Sequence, residues 1–118
     1  MSGKKYKWYK IAELEAEITW SPHDIALVEA GPKKICVARH NGSFFGFAPK
    51  CPHAGGLLTD AWLDETGNVV CPLHRYKFSL KNGRNTSGEG FHLKTYPVEQ
   101  REDGIYAGIE EGGLFSWL

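Results

Sequence analysis

Two short clusters of metal-binding residue types lie in the middle of the chain. One proline separates Cys51 from His53, and a proline and a leucine separate Cys71 from His74. Each cluster supplies one thiolate and one imidazole, and 17 residues lie between His53 and Cys71. Two soft sulfur donors and two nitrogen donors on two loops are a complete ligand set for a metal centre. The sequence therefore predicts a metal site at these four side chains.

The order of the donors favours a binuclear centre over a single zinc ion. Structural zinc is also bound by two cysteines and two histidines, but its ligands usually come as C-x2-C and H-x3-5-H pairs of one type. Here each loop mixes one cysteine with one histidine, so sulfur can bind a buried metal and nitrogen an exposed one. Gly55 and Gly56 leave room for backbone amides to approach a negatively charged cluster. A zinc site, and a metal-free site with merely buried thiols, are the alternatives.

The pattern C-x-H-x17-C-x2-H, within Cys51–Phe78, resembles the signature of the Rieske iron–sulfur family. The resemblance implies one 2Fe–2S cluster per chain. In that family two cysteines bind one iron and two histidines bind the other, which assigns Cys51 and Cys71 to the first and His53 and His74 to the second.

The elements around the clusters are predicted to be short strands. Turn residues separate them at fairly regular spacing, which is typical of an all-β sandwich or barrel. Asn41-Gly42 is the strongest hairpin signal, since both central residues of such a turn need positive φ. A short helical turn is expected within residues 12–17, and Pro97 indicates an edge or bulge position. The predicted strands are Tyr6–Ile11, Ile25–Ala30, Lys34–Arg39, Ser43–Ala48, Val69–Val70, Thr95–Gln100 and Gly104–Ile109.

The family resemblance also implies a division of this all-β chain. Residues 1–118 form a single Rieske domain, an antiparallel β sandwich or barrel with a small two-loop cluster-binding subdomain. The base domain is expected at about residues 1–48 and 81–118, and the cluster-binding subdomain at about 49–80.

Composition excludes several classes of protein. The 118 residues carry 14 basic and 14 acidic side chains, and no basic stripe of a nucleic-acid binder is evident. No apolar run approaches the length of a membrane span, and the first residues lack the apolar region of a signal peptide. If Cys51 and Cys71 are ligands, no disulfide can join the loops, which fits a reducing compartment. We therefore expect a soluble, cytoplasmic protein.

Other residues that often carry chemistry are expected to have structural roles. Cys36 lies in an apolar strand and is predicted to be a core thiol. The acidic residues between the two clusters are predicted to lie in a solvent-exposed segment and not to form an acid–base pair: Asp60, Asp64 and Glu65. Histidines outside the clusters are predicted to be solvated or structural: His23, His40 and His92.

The family resemblance implies a function in electron transfer. We expect a soluble Rieske-type ferredoxin that carries one electron at a time from a reductase to an oxygenase or a related redox enzyme. The alternatives are a small subunit of an assimilatory nitrite reductase or other oxidoreductase complex, and a zinc-stabilised β interaction module. The partners are then redox proteins, and we expect no substrate turnover by this polypeptide alone.

Residues after the second cluster predict the reduction potential and a docking rim. High-potential Rieske members have a serine two positions after the second histidine and a tyrosine two positions further, where this chain has Tyr76 and Phe78. Because donors to sulfur are missing there, we predict a potential near the bottom of the range of about −150 to +300 mV. Arg75 replaces the glycine of many ferredoxin-like members. With three other cations it is predicted to form a positive rim for an acidic partner: Lys50, Lys77 and Arg84.

Overall fold

The computed structural model describes residues 5–53 and 55–111, and this part of the chain is all-β, as predicted. Its helical elements are two 3₁₀ turns, Glu15–Glu17 and Leu58–Asp60, the first of which confirms the helical turn expected there. None of its helices is long and apolar enough to cross a bilayer. The strands are β1 (Tyr6–Ala12), β2 (Ile25–Ala30), β3 (Lys33–His40), β4 (Ser43–Phe47), β5 (Trp62–Leu63), β6 (Asn68–Val70), β7 (Lys77–Ser79), β8 (Thr95–Tyr96), β9 (Val98–Arg101) and β10 (Gly104–Glu110).

The strands form three antiparallel sheets. The first has the order β1-β10-β9, the second β2-β3-β4-β8, and the third β5-β6-β7. The first ligand loop lies between β4 and β5, and the second lies between β6 and β7. Along the chain, β5 and β6 therefore lie between the two ligand loops, and the second loop connects two strands of the third sheet.

Strand β3 is buried on both faces, which explains its uninterrupted apolar run. Ile35 and Val37 pack in a core shared with the first sheet. Cys36 and Ala38 point the other way, into a core shared with the third sheet. The prediction that Cys36 is a core thiol is confirmed, and burial raises the pKa of this thiol to about 12.

The hairpin between β3 and β4 has the predicted conformation. Asn41 and Gly42 have φ values of 52° and 80°, and His40 pairs with Ser43 directly beside the turn. Positive φ at both central residues matches the right-handed twist of the strands, so the turn fixes the register of β4. The strand then places the fully buried Phe47 just before the first ligand loop.

The strand predicted at residues 95–100 is in fact two strands in two different sheets. β8 pairs with β4, and β9 pairs with β10. Pro97 lies between them and has no N–H to donate to a ladder, so the chain changes sheets at this residue. Each half is an edge strand, as Pro97 predicted, but only the second half pairs with residues 104–107.

The segment that carries the ligand loops leaves and re-enters the second sheet at neighbouring positions. β4 and β8 pair directly, through Gly46 with Tyr96 and Phe47 with Thr95. The Ala48 N–H then donates to the Lys94 carbonyl oxygen at 2.9 Å. The third sheet and both ligand loops lie between Ala48 and Lys94 along the chain.

The larger core joins this segment to the second sheet. Both cluster cysteines belong to it, so their backbones rest on the same packed interior. Its buried members are Ile25, Cys36, Ala38, Phe47, Cys51, Leu58, Ala61, Val69, Cys71, Phe78, Leu80 and Leu93.

Candidate metal centre

The first ligand loop is closed by its own backbone. The Cys51 N–H donates to the Gly56 carbonyl oxygen at 2.8 Å, and the Gly55 N–H donates back to the Cys51 carbonyl oxygen at 2.9 Å. Gly55 has a φ of 71°, which residues with a side chain rarely adopt. These bonds turn the chain sharply, with Cys51 in the core and the half-buried His53 toward the surface.

The second ligand loop is closed in a similar way but without glycine. The Cys71 N–H donates to the Tyr76 carbonyl oxygen at 2.8 Å. His74 and Arg75 have φ values of 64° and 59°, in the left-handed region. This conformation costs a non-glycine residue about 1–2 kcal/mol. Arg75 thus occupies a backbone position that suits glycine, which is the residue that many ferredoxin-like members have there.

The two loops bring the four predicted donors together. The donor atoms of Cys51, His53 and Cys71 all lie within 4.8 Å of one another. The Cys51 Sγ lies 3.6 Å from the His53 Nδ1, and the His53 Nε2 lies 3.0 Å from the His74 Nδ1. The two Cys–His pairs that the sequence spacing predicted therefore face each other across a single small site.

The site has a buried sulfur side and an outer nitrogen side. Cys51 and Cys71 are 2% and 0% exposed, whereas His53 is half-buried and His74 is exposed. A centre with two metals can therefore place one metal on the thiols, away from water, and the other on the imidazoles near the surface. This is the arrangement that the alternating order of donors predicts.

Two aromatic rings lie against His53, the half-buried histidine of the site. The ring of Tyr76 lies 3.9 Å from that of His53, centre to centre, at an interplanar angle of 34°. Phe91 contacts both rings, at 5.6 Å from His53 and 5.9 Å from Tyr76. Neither contact follows from the sequence, and no local signal places Phe91 here, because it lies in a polar, glycine-rich loop outside the ligand clusters.

The region between the ligand loops is not simply solvated. Trp62 and Leu63 form β5 and pair with β6. Asp64 accepts hydrogen bonds from the backbone and side chains of Thr66 and Asn68, all at 2.9–3.0 Å. Burial alone would raise the pKa of the Asp64 carboxyl, but these hydrogen bonds outweigh it and lower the pKa to about 2. An Asp-x-Thr-x-Asn pattern is a turn signal that could have identified this role.

The remaining candidate residues lie at or near the surface, in agreement with their predicted roles. Asp60 and Glu65 are exposed, and so are His23 and His92. His40 is partly exposed beside its hairpin. None of these five joins the group of metal-ligand atoms found among the described residues.

Comparison with known families identifies the family of this domain. The family profile of the Rieske [2Fe-2S] domain matches residues 7–97, which is most of the chain. The chain belongs to the Rieske [2Fe-2S] domain family. Its cofactor is therefore a 2Fe–2S cluster, and the zinc alternative is not retained.

Individual Rieske relatives agree with the family. A 3-phenylpropionate/cinnamic acid dioxygenase ferredoxin subunit from Photorhabdus laumondii is 31% identical over 78 residues, covering 65% of this chain and 74% of that protein. The nitrite reductase [NAD(P)H] of Emericella nidulans is 31% identical over 90 residues, covering 67% of this chain but only 8% of that enzyme. In a solved complex of the oxygenase and ferredoxin of carbazole 1,9a-dioxygenase, one chain superposes with a TM-score of 0.70 at 24% identity, covering 85% of this chain and 91% of that chain.

The residues around the donors fit a Rieske cluster. A Cβ on the buried Gly56 would lie 3.0 Å from Leu73 and 3.4 Å from the Cys71 Sγ, so glycine keeps the space beside this sulfur open. Burial raises the pKa of the Cys71 thiol to about 11, as does its hydrogen bond with Cys51, while a backbone hydrogen bond from Leu73 lowers it. Metals bind the thiolate, so loading this Rieske site displaces protons.

The two residues that set the predicted low potential offer no donor to sulfur. Phe78 is fully buried in the core and has no polar atom on its side chain. The Tyr76 ring packs on His53, and its hydroxyl has no hydrogen-bond partner among residues 5–53 and 55–111. A low potential for this Rieske domain remains our prediction.

Proposed function

We propose that this Rieske protein is a soluble one-electron carrier that passes electrons from a reductase to an oxygenase or a related redox enzyme. The observation that carries the proposal is the geometry of the two loops, with two buried thiols and two outer imidazoles at one site. The dioxygenase ferredoxin subunit at 31% identity supports an oxygenase as the acceptor.

In this proposal Cys51 and Cys71 hold the inner iron, and His53 and His74 hold the outer iron. The 2Fe–2S cluster supplies a one-electron couple when it is bound. The cysteines anchor the site in the core and keep water from the sulfur side. The histidines bring the site to the surface, where their rings shorten the distance that an electron must travel to a partner.

The surface around the histidines is suited to a brief encounter with another protein. Leu57, Leu73 and Phe91 are large apolar residues that are exposed in or beside the ligand loops. Apolar groups beside an electron-exchange site favour a small transient interface, of the kind that redox partners use. The acceptor or donor then contacts the imidazole side of the centre directly.

Charge around this surface supports an acidic partner. Lys50, Arg75 and Arg84 are exposed and form no ion pair with any residue in the described ranges. Lys77, the fourth member of the predicted rim, lies 3.5 Å from Asp64, so part of its charge is neutralised. Lys50 directly precedes Cys51 and Arg75 directly follows His74, so these two free cations would speed the approach of an acidic partner at low ionic strength. Arg84 lies opposite Ser79, at the other end of β7, and contributes less.

We further propose that residues 49–80 act as the cluster-binding subdomain and that residues 1–48 and 81–118 act as its base. The third sheet and both ligand loops lie within the first range, which supports this division. The proposed compartment is the cytoplasm, where thiols remain reduced and free to bind iron. The three cysteines of the chain are all free thiols, in agreement with this location.

A component of a nitrite reductase is the second candidate. It is favoured by the match to the nitrite reductase [NAD(P)H] of Emericella nidulans, in which the chain corresponds to 8% of the enzyme. The same cluster site would then pass electrons within a stable complex rather than between diffusing proteins. Copurification of this chain with a large partner subunit would favour this candidate over a free carrier.

The test of the carrier function begins with the metal content. Freshly purified protein should contain two irons and two acid-labile sulfides per chain, with an EPR signal in the reduced state. Cys71→Ser and His74→Ala should each lose that cluster, whereas Cys36→Ser should retain it. A colourless wild-type protein after anaerobic reconstitution, or one that binds a single zinc, would contradict the proposal.

The test of the docking rim uses the rate of electron transfer to an oxygenase. Arg75→Glu should slow transfer several-fold at low salt, and the difference should shrink as salt screens the charges. Lys81→Glu is the matched control, because Lys81 is an exposed cation beyond the opposite end of β7. Equal salt dependence for Arg75→Glu and the wild type would exclude the rim.

A further inference from the structure

A third loop, outside both ligand loops, reaches the ring of His53. Phe91 follows a glycine-rich stretch, and its ring lies 5.6 Å from the ring of His53 and 5.9 Å from that of Tyr76. Tyr76 in turn lies 3.9 Å from His53. The side of His53 that faces this loop is therefore packed against carbon atoms rather than water.

Asn85 organises the loop that carries Phe91. The Asn85 Nδ2 donates to the Lys77 carbonyl oxygen at 3.0 Å, and it also donates to Ser87 and Glu89. The Asn85 Oδ1 accepts hydrogen bonds from the backbone N–H groups of Glu89 and of Gly90, the second at 2.7 Å. The Asn85 side chain thus hydrogen-bonds backbone groups at Lys77 and at residues 89–90, and it holds the backbone in place immediately before Phe91.

The same loop is attached to the second ligand loop. The Thr86 N–H donates to the Lys77 carbonyl oxygen at 2.9 Å, and the Lys77 N–H donates to the Ser87 Oγ at 2.9 Å. Lys77 begins β7 and directly follows Tyr76. Backbone hydrogen bonds therefore connect this loop to the segment that contains Tyr76 and the second pair of candidate ligands.

We propose that Phe91, held by Asn85, is a positioning residue for the His53 ring and shields the outer side of the metal centre from water. This rests on the proposed function, because it assigns Phe91 a role toward a metal bound at His53. Reduction adds one negative charge to the centre, and water stabilises that charge better than an aromatic ring does. Shielding by Phe91 therefore lowers the midpoint potential, and its packing restricts the orientation of the His53 ring.

The test measures the midpoint potential of the cluster-containing protein and the ligand-nitrogen couplings in its reduced-state EPR spectrum. Phe91→Ala should favour the reduced form threefold to tenfold, which is about 30 to 60 mV for a one-electron couple, and should change the nitrogen couplings. Phe91→Tyr keeps the ring and should behave as the wild type. Asn85→Ala should raise the potential too, whereas its matched control, Asn82→Ala, should not. Asn82 accepts one loop hydrogen bond, from the Arg84 N–H.

A double-mutant cycle tests whether Asn85 acts through Phe91. In the Asn85→Ala background, Phe91→Ala should add little further change, because the ring is already released. Should Asn85→Ala fail to fold, Phe91→Ala and Phe91→Tyr decide the shielding role by themselves. Unchanged potential and couplings in Phe91→Ala would overturn the proposal, and an equal Phe91→Ala effect with and without Asn85 would remove Asn85 from it. Absence of iron and sulfide from the wild type would instead refute the proposed function.

Discussion

Replacement of Asp64 by asparagine should weaken the fold next to the second ligand loop. The carboxylate accepts four hydrogen bonds from Thr66 and Asn68, in the turn that returns the chain from β5 to β6. β6 leads directly to Cys71. Asparagine keeps the shape of the side chain, but it replaces an acceptor oxygen by a donor that faces other donors and removes the negative charge.

The size of the effect follows from the shift of the carboxyl pKa. Hydrogen bonding lowers this pKa from 3.8 to about 2. Each pKa unit corresponds to about 1.36 kcal/mol, so the upper bound on the stabilisation is about 2.4 kcal/mol. The Asp64 side chain is 21% exposed, and water screens part of the interaction. We therefore expect the free energy of unfolding at pH 7 to fall by about 1–2 kcal/mol in Asp64→Asn.

The pH dependence has a definite sign. Because the folded-state pKa lies below that of the unfolded state, the stabilisation is present above pH 3.8 and is lost as pH falls toward 2. At pH 3 about half of the difference between wild type and Asp64→Asn should remain. Chemical unfolding followed by tryptophan fluorescence, under anaerobic and reducing conditions, measures this difference at both pH values.

Glu65→Gln is the matched control, since Glu65 is the neighbouring acidic residue and is exposed. Its unfolding free energy should stay within about 0.5 kcal/mol of the wild type. The reasoning is refuted if Asp64→Asn is as stable as the wild type at pH 7. A difference of equal size at pH 7 and pH 3 would show that the charge of Asp64 is not its source.

Three further substitutions test other features. Arg75→Gly should raise the free energy of unfolding by up to about 1 kcal/mol, because glycine relieves the strain of φ 59° but gains entropy in the unfolded chain; thermal unfolding measures it. Gly83→Ala should destabilise by about 3 kcal/mol or more, since a Cβ there would lie 1.9 Å from the Leu93 carbonyl oxygen at a φ of 77°; a normal melting temperature would contradict this packing. Glu89→Gln should raise the midpoint potential, because it removes a negative charge from the loop whose Phe91 packs on His53, where Glu89 accepts hydrogen bonds from Asn85 and Ser87; an unchanged potential by redox titration would contradict this.

Local signals were sufficient to group the four candidate donors and to predict much of the fold. Spacing alone identified Cys51, His53, Cys71 and His74 as a group, and the structure brings all four together. The hairpin at residues 41–42 was equally predictable, since the required positive φ restricts the choice of residues. In each case the cause lies within a few residues of the feature.

Features that depend on distant partners were not predictable. Trp62 and Leu63 become a strand only because β6 lies beside them, and two residues carry no periodic pattern. The division at Pro97 depends on which sheet each half can reach. Phe91 lies against His53, and Asn85 of the same loop bonds to the Lys77 carbonyl oxygen of β7, two contacts that no spacing rule encodes.

The pairing of β4 with β8 has a consequence for engineering. The Ala48 N–H and the Lys94 carbonyl oxygen meet at 2.9 Å, so the 48–94 segment starts and finishes at one point of the second sheet. A graft of the corresponding segment from another ferredoxin would need to match those two junctions and the apolar side chains through which the segment packs on the second sheet. Hybrid carriers could then combine the electrochemistry of one parent with the scaffold of the other.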